Sequence, residues 1–261
     1  MSTDSKIDDS VLNEYQGDKL VTEIGSSFVK NQHGCAELAT KWVTLMTHEE
    51  IQLCVRYIAQ EINKKFVGQD IVLCGILKGA FVFVADLVKL LTIPYSVYFV
   101  EASSYGDGQV QSDKVQLLSQ LVPSKFQKKK VIVLDELFDH GKTMHDICKC
   151  LVDEKELNLT YDDIFTCTVF SKRSGTTMKP PDLVGMNEFP ELWLVGYGLD
   201  SQGEMRGFQH VFACPKIEGV PKVEADKIFD SDKNNSKNAL LKIRQSIVNR
   251  LKELDSLIEK K

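Results

Sequence analysis

The residues best suited to chemistry lie in the stretch VIVLDELFDHGKTM, Val131 to Met144. An apolar run ends in two adjacent acids, Asp135 and Glu136, and a third acid, Asp139, comes shortly before a glycine. The run predicts a buried strand, and Thr143 to Val152 predicts the helix that follows it. The free backbone N–H groups at the start of such a helix can hold one phosphate monoester, supported by the helix dipole and a threonine hydroxyl.

The two adjacent acids decide what else the site can bind. Two carboxylates beside a phosphate repel it unless both bind a group that lies between them. Ribose hydroxyls donate hydrogen bonds to carboxylates, while the 5′-phosphate of the same sugar can reach the helix start. The motif therefore predicts a cradle for a ribose 5-phosphate.

Two other interpretations of short motifs are disfavoured. The ending Gly141-Lys142-Thr143 suggests a nucleoside-triphosphate P-loop, but the required earlier glycine is replaced by Glu136, whose charge would face the phosphates. Cys148 and Cys150 suggest zinc, but residues two apart on a helix do not face each other. In addition, no second Cys or His pair stands at zinc spacing in the sequence.

Length and charge narrow the class of protein. The chain has 261 residues, of which 43% are hydrophobic, so it can build a sizeable core. A formal charge of −5 and a pI near 5.6 argue against a broad basic surface, and hence against nucleic acid as a main partner. Any phosphate must therefore be held locally.

The sequence also bears on location. Seven scattered cysteines, mostly in apolar segments, are typical of reduced, buried thiols. The first ten residues lack the pattern of a signal peptide, and the most apolar segment, Ile71 to Leu91, is interrupted by three charged residues. We therefore expect a cytoplasmic protein without a membrane partner.

The elements that must position the motif alternate along the chain. Thr47 and Glu50 form a predicted capping box for an amphipathic helix that ends near Phe66. The sequence then predicts two more helices, Ala80–Leu91 and Thr143–Val152, and the strands Ile71–Leu77, Tyr95–Ser103, Val131–Glu136, Ile164–Phe170 and Leu192–Gly198. This alternation favours an α/β fold with a mainly parallel central sheet flanked by helices.

Every unusual polar cluster follows a predicted strand. In such sheets, ligands sit beyond the carboxyl ends of the strands, so we expect these clusters to meet. They are Lys78-Gly79, Ser103-Ser104-Tyr105, Asp135 to Thr143, Lys172 and Asp200.

The chain divides into three predicted parts. Residues 1–45 form a polar arm, residues 46–221 the α/β domain, and residues 222–261 a charged linker with a C-terminal amphipathic helix. The apolar stripe of that helix is Leu240, Ile243, Ile247, Leu251, Leu254 and Ile258. It predicts packing on the helix's own domain or on a sister subunit. A membrane surface is disfavoured because the stripe lacks aromatic residues.

The motif VIVLDELFDHGKTM resembles the phosphoribosyl-pyrophosphate (PRPP) motif of the type I phosphoribosyltransferases, and the chain resembles the hypoxanthine-guanine members of that family. Other matches follow in order: LKGA at Leu77 to Ala80, ASSYG at Ala102 to Gly106, Lys172, and LWLVGYGLDSQGEMR at Leu192 to Arg206. The resemblance covers roughly Thr47 to Cys214. It implies the family fold, in which a small hood region, with a contribution from residues 1–45, accompanies the parallel sheet. It also implies transfer of phosphoribose from PRPP to a 6-oxopurine with Mg²⁺ as cofactor.

The resemblance implies roles for the sugar-phosphate and pyrophosphate contacts. Asp135 and Glu136 hold the ribose hydroxyls, and the segment Asp139, His140, Gly141, Lys142 and Thr143 holds the 5′-phosphate. Lys78, Gly79 and Arg206 contact pyrophosphate, and the family often has a cis peptide before this lysine. Ser104 and Tyr105 match the tip of a mobile loop that closes over the site.

Further roles follow for the base and the metal. Asp139 matches the general base, Lys172 the donor to the 6-oxo group, Trp193 the residue that stacks on the purine, and Leu194 the residue whose backbone reads the ring edge. Asp200 matches the acid that positions Mg²⁺. Members of the family are usually homodimers or homotetramers.

Two departures from the family pattern bear on PRPP affinity. The family more often has Glu followed by Asp where this chain has Asp135 and Glu136, and His140 replaces the usual Thr or Ser. Two function classes stay open: the enzyme, and a non-catalytic sensor of PRPP or nucleotide with the same fold. The joint presence of Asp139, Lys172, Asp200 and Arg206 favours the enzyme, because a sensor of PRPP needs neither a base nor a purine contact.

Overall fold

The computed structural model describes residues 43–104, 115–172, 178–189, 192–201, 203–214 and 233–259. In chain order the strands are β1 (Val43–Met46), β2 (Ile71–Leu77), β3 (Tyr95–Ser104), β4 (Val115–Leu117), β5 (Lys130–Phe138), β6 (Ile164–Lys172), β7 (Leu183–Phe189), β8 (Trp193–Val195) and β9 (Val211–Cys214). The helices are α1 (His48–Lys65), α2 (Phe81–Leu87), α3 (Lys142–Asp153) and α4 (Lys233–Glu259). The predicted arm lies outside the described residues as far as position 42.

The strands form two sheets. The main sheet has the order β4-β3-β2-β5-β6-β7, in which the five strands from β3 to β7 are parallel and β4 pairs antiparallel with β3. The smaller sheet, β1-β9-β8, is antiparallel, and we call it the hood. The predicted α/β class with a mainly parallel sheet is confirmed.

Alternating side chains give the main sheet two buried faces. Leu73, Ile132 and Leu134 belong to the core that also contains α1, α2 and α4. Val72, Val131 and Val133, one residue out of phase, pack with α3 on the other face. This two-sided burial explains why the central strands are continuous apolar runs.

The first helix begins as the sequence predicts. The Thr47 side chain accepts from the backbone N–H of Glu50, and the Glu50 carboxylate accepts from the backbone N–H of Thr47 at 2.9 Å. The predicted strand Val131–Glu136 continues to Phe138, so the acidic pair lies within β5. The predicted helix Ala80–Leu91 is shorter, because α2 ends at Leu87.

Several strands differ from the sequence prediction. The segment Leu192–Gly198 is only partly a strand, and β8 belongs to the hood, because Gly196 and Gly198 adopt φ values of +100° and +98° that end the strand. Strand β7 fills the edge of the main sheet, but its glycine and asparagine hide the apolar pattern. Strands β1, β4 and β9 were also missed, since three or four residues are too few for a periodic signal.

The C-terminal helix packs on its own domain, one of the two predicted alternatives. Ile247, Leu251 and Leu254 of α4 are buried in the core cluster that contains α1. The helix begins at Lys233, so the end of the predicted linker is helical. Within the described ranges, no helix is both long and apolar enough to cross a bilayer.

Candidate active site

Three backbone segments meet at the carboxyl ends of β2 and β5. The peptide bond between Leu77 and Lys78 is cis, as the resemblance implies. Gly79 lies so close to β5 that an added Cβ would stand 1.9 Å from Oε1 of Glu136. A Cβ on Gly198 would stand 2.1 Å from the carbonyl oxygen of Gly79. Glycine is required at 198, where φ is +98° and the neighbour is backbone, whereas a side chain at 79 would displace the Glu136 carboxylate.

The third segment carries Asp200 and Arg206. Nη1 of Arg206 donates to the carbonyl oxygen of Gly198 at 2.7 Å, and Nη2 lies 2.7 Å from Oδ1 of Asp200. The other oxygen of Asp200 accepts from the backbone N–H of Gly203 at 2.7 Å. The guanidinium therefore holds the loop that presents the predicted metal-positioning acid.

The predicted base and the predicted oxo-group donor are in direct contact. Nζ of Lys172, at the end of β6, donates to Oδ2 of Asp139 at 3.0 Å, although 33 residues separate them. The Lys172 side chain is only 11% exposed. Nδ1 of His140 lies 3.2 Å from the other oxygen of Asp139, and the imidazole itself is largely exposed. The structure thus places a cation, a carboxylate and an imidazole side by side.

The predicted phosphate cradle is the start of α3. Gly141 caps the helix with φ +80°, and a Cβ there would stand 2.4 Å from the Phe138 ring. Nζ of Lys142 donates to Asp146 at 2.8 Å, along the helix, so its ammonium lies on its own helix. The backbone N–H groups of the first turn and the exposed Thr143 are therefore the groups left to face a phosphate.

The acidic pair is electrostatically unfavourable in the absence of a ligand. Burial raises the pKa of Asp135 well above its ordinary value, and the neighbouring Glu136 carboxylate raises it further. The backbone N–H of Glu136 donates to Oδ1 of Asp135 at 3.0 Å, which lowers the pKa only in part. Two partly buried carboxylates side by side are typical of a binding site rather than of a packing surface.

Three predicted site residues have a buried polar atom without a hydrogen-bond partner among the described residues. They are Oε2 of Glu136, Nε of Arg206 and Nε1 of Trp193. A buried polar group that is left unpaired costs free energy, and such groups are rare in folded proteins. These atoms are available to a ligand.

Two of the other predicted site residues lie in the hood, and one lies at the end of β3. Trp193 and Leu194 lie on β8, where Leu194 is buried and pairs in register with Ala213 of β9. Ser104 is the last residue of β3, and its side chain and the whole of Tyr105 lie outside the described residues. None of the hydrogen bonds and ion pairs described above includes Ser104, Trp193 or Leu194.

A supporting network behind the site was not predicted. The hydroxyl of Tyr197 donates to Oδ2 of Asp86 at 3.0 Å, and Gln52 donates to the same oxygen at 2.7 Å. The network ties the start of the Asp200 loop to α2 and α1. The only signal in the sequence is that Tyr197 falls inside the matched segment, because Asp86 alone is an ordinary helix residue.

Comparisons with known proteins agree with this geometry. The model of the phosphoribosyl transferase domain matches residues 41–202. A hypoxanthine-guanine phosphoribosyltransferase of Aquifex aeolicus is 35% identical over 158 residues, which are 60% of this chain and 85% of the relative. The C-terminal helix lies beyond the matched domain.

Solved structures give the same result. A crystal structure of a hypoxanthine-guanine phosphoribosyltransferase of Bacillus anthracis superposes with a TM-score of 0.55 at 28% identity, over 66% of this chain and 96% of the other. A hypoxanthine phosphoribosyltransferase of Staphylococcus aureus gives 0.57 at 27% identity, over 66% and 90%. With more than half of its residues inside the matched domain, the chain belongs to the phosphoribosyl transferase family.

Proposed function

We propose that this chain transfers phosphoribose from PRPP to a 6-oxopurine, giving the nucleoside 5′-monophosphate and pyrophosphate. The observation that carries this proposal is the Lys172–Asp139 pair at 3.0 Å, beside the start of α3 and the acidic pair of β5. A protein that only sensed PRPP would have no use for a base paired with an oxo-group donor. The relatives named above carry purine phosphoribosyltransferase names, which supports the same assignment.

The bond changes assign work to each carboxylate. The bond from C1′ of the ribose to pyrophosphate breaks, N9 of the purine forms the new bond to C1′, and the purine loses one proton. Asp139 accepts that proton, and a carboxylate within reach of the base is suited to do so. Asp135 and Glu136 hold the two ribose hydroxyls, and the unpaired Oε2 of Glu136 supports this role.

The leaving pyrophosphate needs positive charge and hydrogen-bond donors. Lys78 is exposed at the mouth of the site, and Arg206 has a buried Nε without a partner in the described part of the chain. Both can stabilise the charge that develops as the bond breaks.

The donor set also fits Mg²⁺. No group of three or more His, Cys, Asp or Glu side chains in the described ranges is placed to hold a metal by itself. Mg²⁺ does not need one, since it commonly uses one or two carboxylates, several waters and substrate oxygens. Asp200 would position the ion, with Glu136 and Asp135 facing the sugar. When bound, Mg²⁺ neutralises the charge of the pyrophosphate.

Selection of the base follows from the chemistry of Lys172 and the hood. An ammonium group can only donate, so it pairs with an oxo group and leaves an adenine amino group unpaired. Trp193 supplies a ring for stacking, and the backbone of Leu194 can read the edge of the purine. Adenine is therefore expected to be a poor substrate.

The first experiment is a spectrophotometric assay of the purified protein with PRPP and Mg²⁺. Hypoxanthine, guanine, xanthine and adenine are tested in parallel, with a chelator added in a matched set. Turnover of an oxopurine but not of adenine, lost on chelation and restored by Mg²⁺, is the expected result. Calorimetric binding of PRPP without turnover of any base would contradict the enzyme and favour the sensor.

We also infer that the protein is a homo-oligomer, in which a second copy covers an apolar strip on β3 and α2. The strip consists of large apolar side chains that are about two-fifths exposed: Tyr95 40%, Val97 42%, Phe99 37% and Phe81 41%. The three strand residues alternate, so they share one face of the sheet. Contiguous exposed apolar patches of this kind mark interaction surfaces.

The oligomer proposal is tested by replacing Phe99 with Glu. Sedimentation velocity of the wild type is expected to give a dimer or tetramer, and the variant is expected to shift towards the monomer. An Ala substitution at the isolated exposed residue Val67 serves as control, because it lies outside the strip. A wild type that is monomeric at micromolar concentration would overturn the inference.

We infer a cytoplasmic location from the cysteines. Burial raises the pKa of the Cys54, Cys74 and Cys148 thiols to about 12, so these thiols are protonated and unreactive at neutral pH. Of the five free cysteines in the described part of the chain, four are buried and Cys150 is partly exposed. Reduced, buried thiols are ordinary in a reducing compartment. Localisation of a fluorescently tagged full-length chain tests this inference.

A further inference from the structure

The C-terminal helix forms a buried ion pair with α1 and a hydrogen bond with the hood. Arg244 of α4 is 5% exposed. Its Nη1 donates to Oε2 of Glu50 at 2.9 Å, and its Nη2 donates to Oε1 of the same carboxylate at 2.6 Å. Nη1 also donates to the carbonyl oxygen of Leu45 at 2.7 Å. Since 199 residues separate Arg244 from Leu45, this contact is created only by the tertiary fold.

One partner of Arg244, Leu45, lies in the hood, and the other, Glu50, lies in the first turn of α1. The pairing of β1 with β9 shifts register between Thr44 and Met46, so Leu45 lies at a bulge. A bulge leaves a residue outside the regular ladder, and the Arg244 guanidinium supplies a donor for its carbonyl. Glu50 accepts at the same time from the backbone N–H of Thr47 at 2.9 Å, which fixes the start of α1.

Strand β1 is linked to the strand with the predicted purine contacts by two ladders. Thr44 pairs with Phe212 of β9, and Phe212 pairs with Val195 of β8. Val43 is joined in the same way, through Ala213, to Leu194. The three strands have only three or four residues each, and sheets this small depend on packing for stability. A shift of β1 therefore moves β8.

We propose that α4 positions the purine-binding strand, and that Arg244 is the positioning residue that acts through Leu45 and Glu50. This inference rests on the proposed function, because it assigns Trp193 and Leu194 to the purine. Arg244 does not touch the substrate. Arg244 holds β1, at one edge of the hood. The strand at the other edge, β8, then contacts the base at a fixed position relative to Lys172. The matched family domain ends at residue 202, so it does not contain this helix.

The substitution Arg244→Met tests the proposal, because it keeps most of the apolar stem and removes the guanidinium. The matched control is Arg250→Met on the same helix. Arg250 donates to Glu253 at 2.7 Å and to the carbonyl oxygen of Gly185 at 3.3 Å, on the main sheet rather than the hood. We expect Arg244→Met to raise KM for the oxopurine about 10-fold, as a misplaced binding strand does, with KM for PRPP within about twofold. The control should leave both within about twofold.

A second measurement does not depend on turnover. Amide hydrogen exchange in β8 and β9 should be faster in Arg244→Met than in the wild type and unchanged in Arg250→Met. If Arg244→Met does not fold, Arg244→Lys serves instead, because it keeps the charge but not the bidentate hydrogen bond to Glu50. We expect it to raise KM for the oxopurine by a smaller factor, with KM for PRPP unchanged.

The outcomes separate this inference from the proposed function. An equal rise in both KM values, or faster exchange that is not confined to the hood, would overturn the positioning role. If the wild type turns over no oxopurine, the proposed function fails, and hydrogen exchange alone then decides whether α4 holds the hood. Unchanged exchange in β8 would overturn the inference in either case.

Discussion

Two glutamates of this molecule contrast in their surroundings. Glu50, in the first turn of α1, accepts hydrogen bonds from both Nη atoms of Arg244 and from the backbone N–H of Thr47. Glu136, at the end of the main sheet, stands beside Asp135, and its Oε2 has no partner among the described residues. A buried carboxylate whose oxygens are hydrogen-bonded and ion-paired is typical of a structural contact. A carboxylate beside a like charge is typical of a ligand-binding site.

The same contrast separates the two sheets. The main sheet is five parallel strands covered on both faces, and it can tolerate an unfavourable acidic pair at one end. The hood consists of three short strands, and it receives one hydrogen bond from Arg244, which is ion-paired with Glu50 of α1. In the proposed function, the main sheet binds the sugar phosphate and the hood contacts the base.

The largest expected effect concerns the paired glutamate. Glu50→Gln leaves the Arg244 charge buried without its counter-charge, and breaking a buried pair in this way costs about 3–5 kcal/mol of unfolding free energy. Urea unfolding followed by circular dichroism measures the loss. Glu253→Gln, which removes the exposed partner of Arg250, should change stability by less than about 0.5 kcal/mol. A similar loss of unfolding free energy in both variants would contradict the structural role of Glu50.

Asp139 lies between the two cases, since it is paired with Lys172 but is expected to act on the substrate. Asp139→Asn should lower turnover about 10²-fold or more, the effect of removing a general base, and should leave PRPP binding nearly intact. Steady-state kinetics and calorimetry measure the two quantities. Asp153→Asn at the exposed end of α3 is the control, and unchanged turnover in Asp139→Asn would remove this residue from the mechanism.

Asp135 should behave in the opposite way to Glu50. Its folded-state pKa is raised, so its stabilising effect is present below the unfolded value near 3.9 and is lost as pH rises through the raised value. As pH rises above the unfolded value, this carboxyl therefore destabilises the fold relative to the unfolded chain. Asp135→Asn should increase the unfolding free energy by about 0.5–2 kcal/mol at pH 7, and by less at pH 4, while weakening PRPP binding. Thermal unfolding at both pH values measures the direction of the change in stability. An Asp135→Asn variant that is less stable than wild type at pH 7 would contradict the prediction.

The smallest effect concerns His140, where the family has a hydroxyl. Its imidazole is exposed beside Asp139 and does not replace a buried hydroxyl donor. His140→Thr should lower KM for PRPP about fivefold, corresponding to one hydrogen bond of about 1 kcal/mol. His145→Thr, an exposed histidine one turn along α3, is the matched control. A Michaelis constant for PRPP that does not fall in His140→Thr would show that the backbone alone is sufficient.

Strong periodic signals made much of this fold predictable. The capping box at Thr47, the buried central strands and the helix after the PRPP motif are local patterns, and all three are present. The strands of three or four residues were missed because they carry no periodic signal. The strand β7 was missed because Gly185 and Asn187 interrupt its apolar pattern. The packing explains this glycine, because a Cβ there would stand 2.9 Å from Cys54 Cβ and from the Val169 carbonyl oxygen.

The candidate site was predicted as a set of residues but not as contacts. Segments at the carboxyl ends of parallel strands converge, and the order of the motifs therefore predicted a site of Lys78, Asp135, Glu136, Asp139, Lys172, Asp200 and Arg206. Nothing in the sequence indicated that Lys172 would pair with Asp139, or that Gly79 would lie against Glu136. Both contacts join segments at the carboxyl ends of different strands, so the register between strands decides them.

The sequence by itself determined the family, the parallel sheet and the identity of the chemical groups, because these depend on local patterns and on motifs of fixed spacing. Only the tertiary structure decided which buried acid is paired and which is left for a ligand. It also decided that the C-terminal helix packs on α1 and β7, from where Arg244 reaches the carbonyl oxygen of Leu45 in the hood. An apolar stripe states that a helix must pack, but the surface it meets depends on the shape of the whole folded chain.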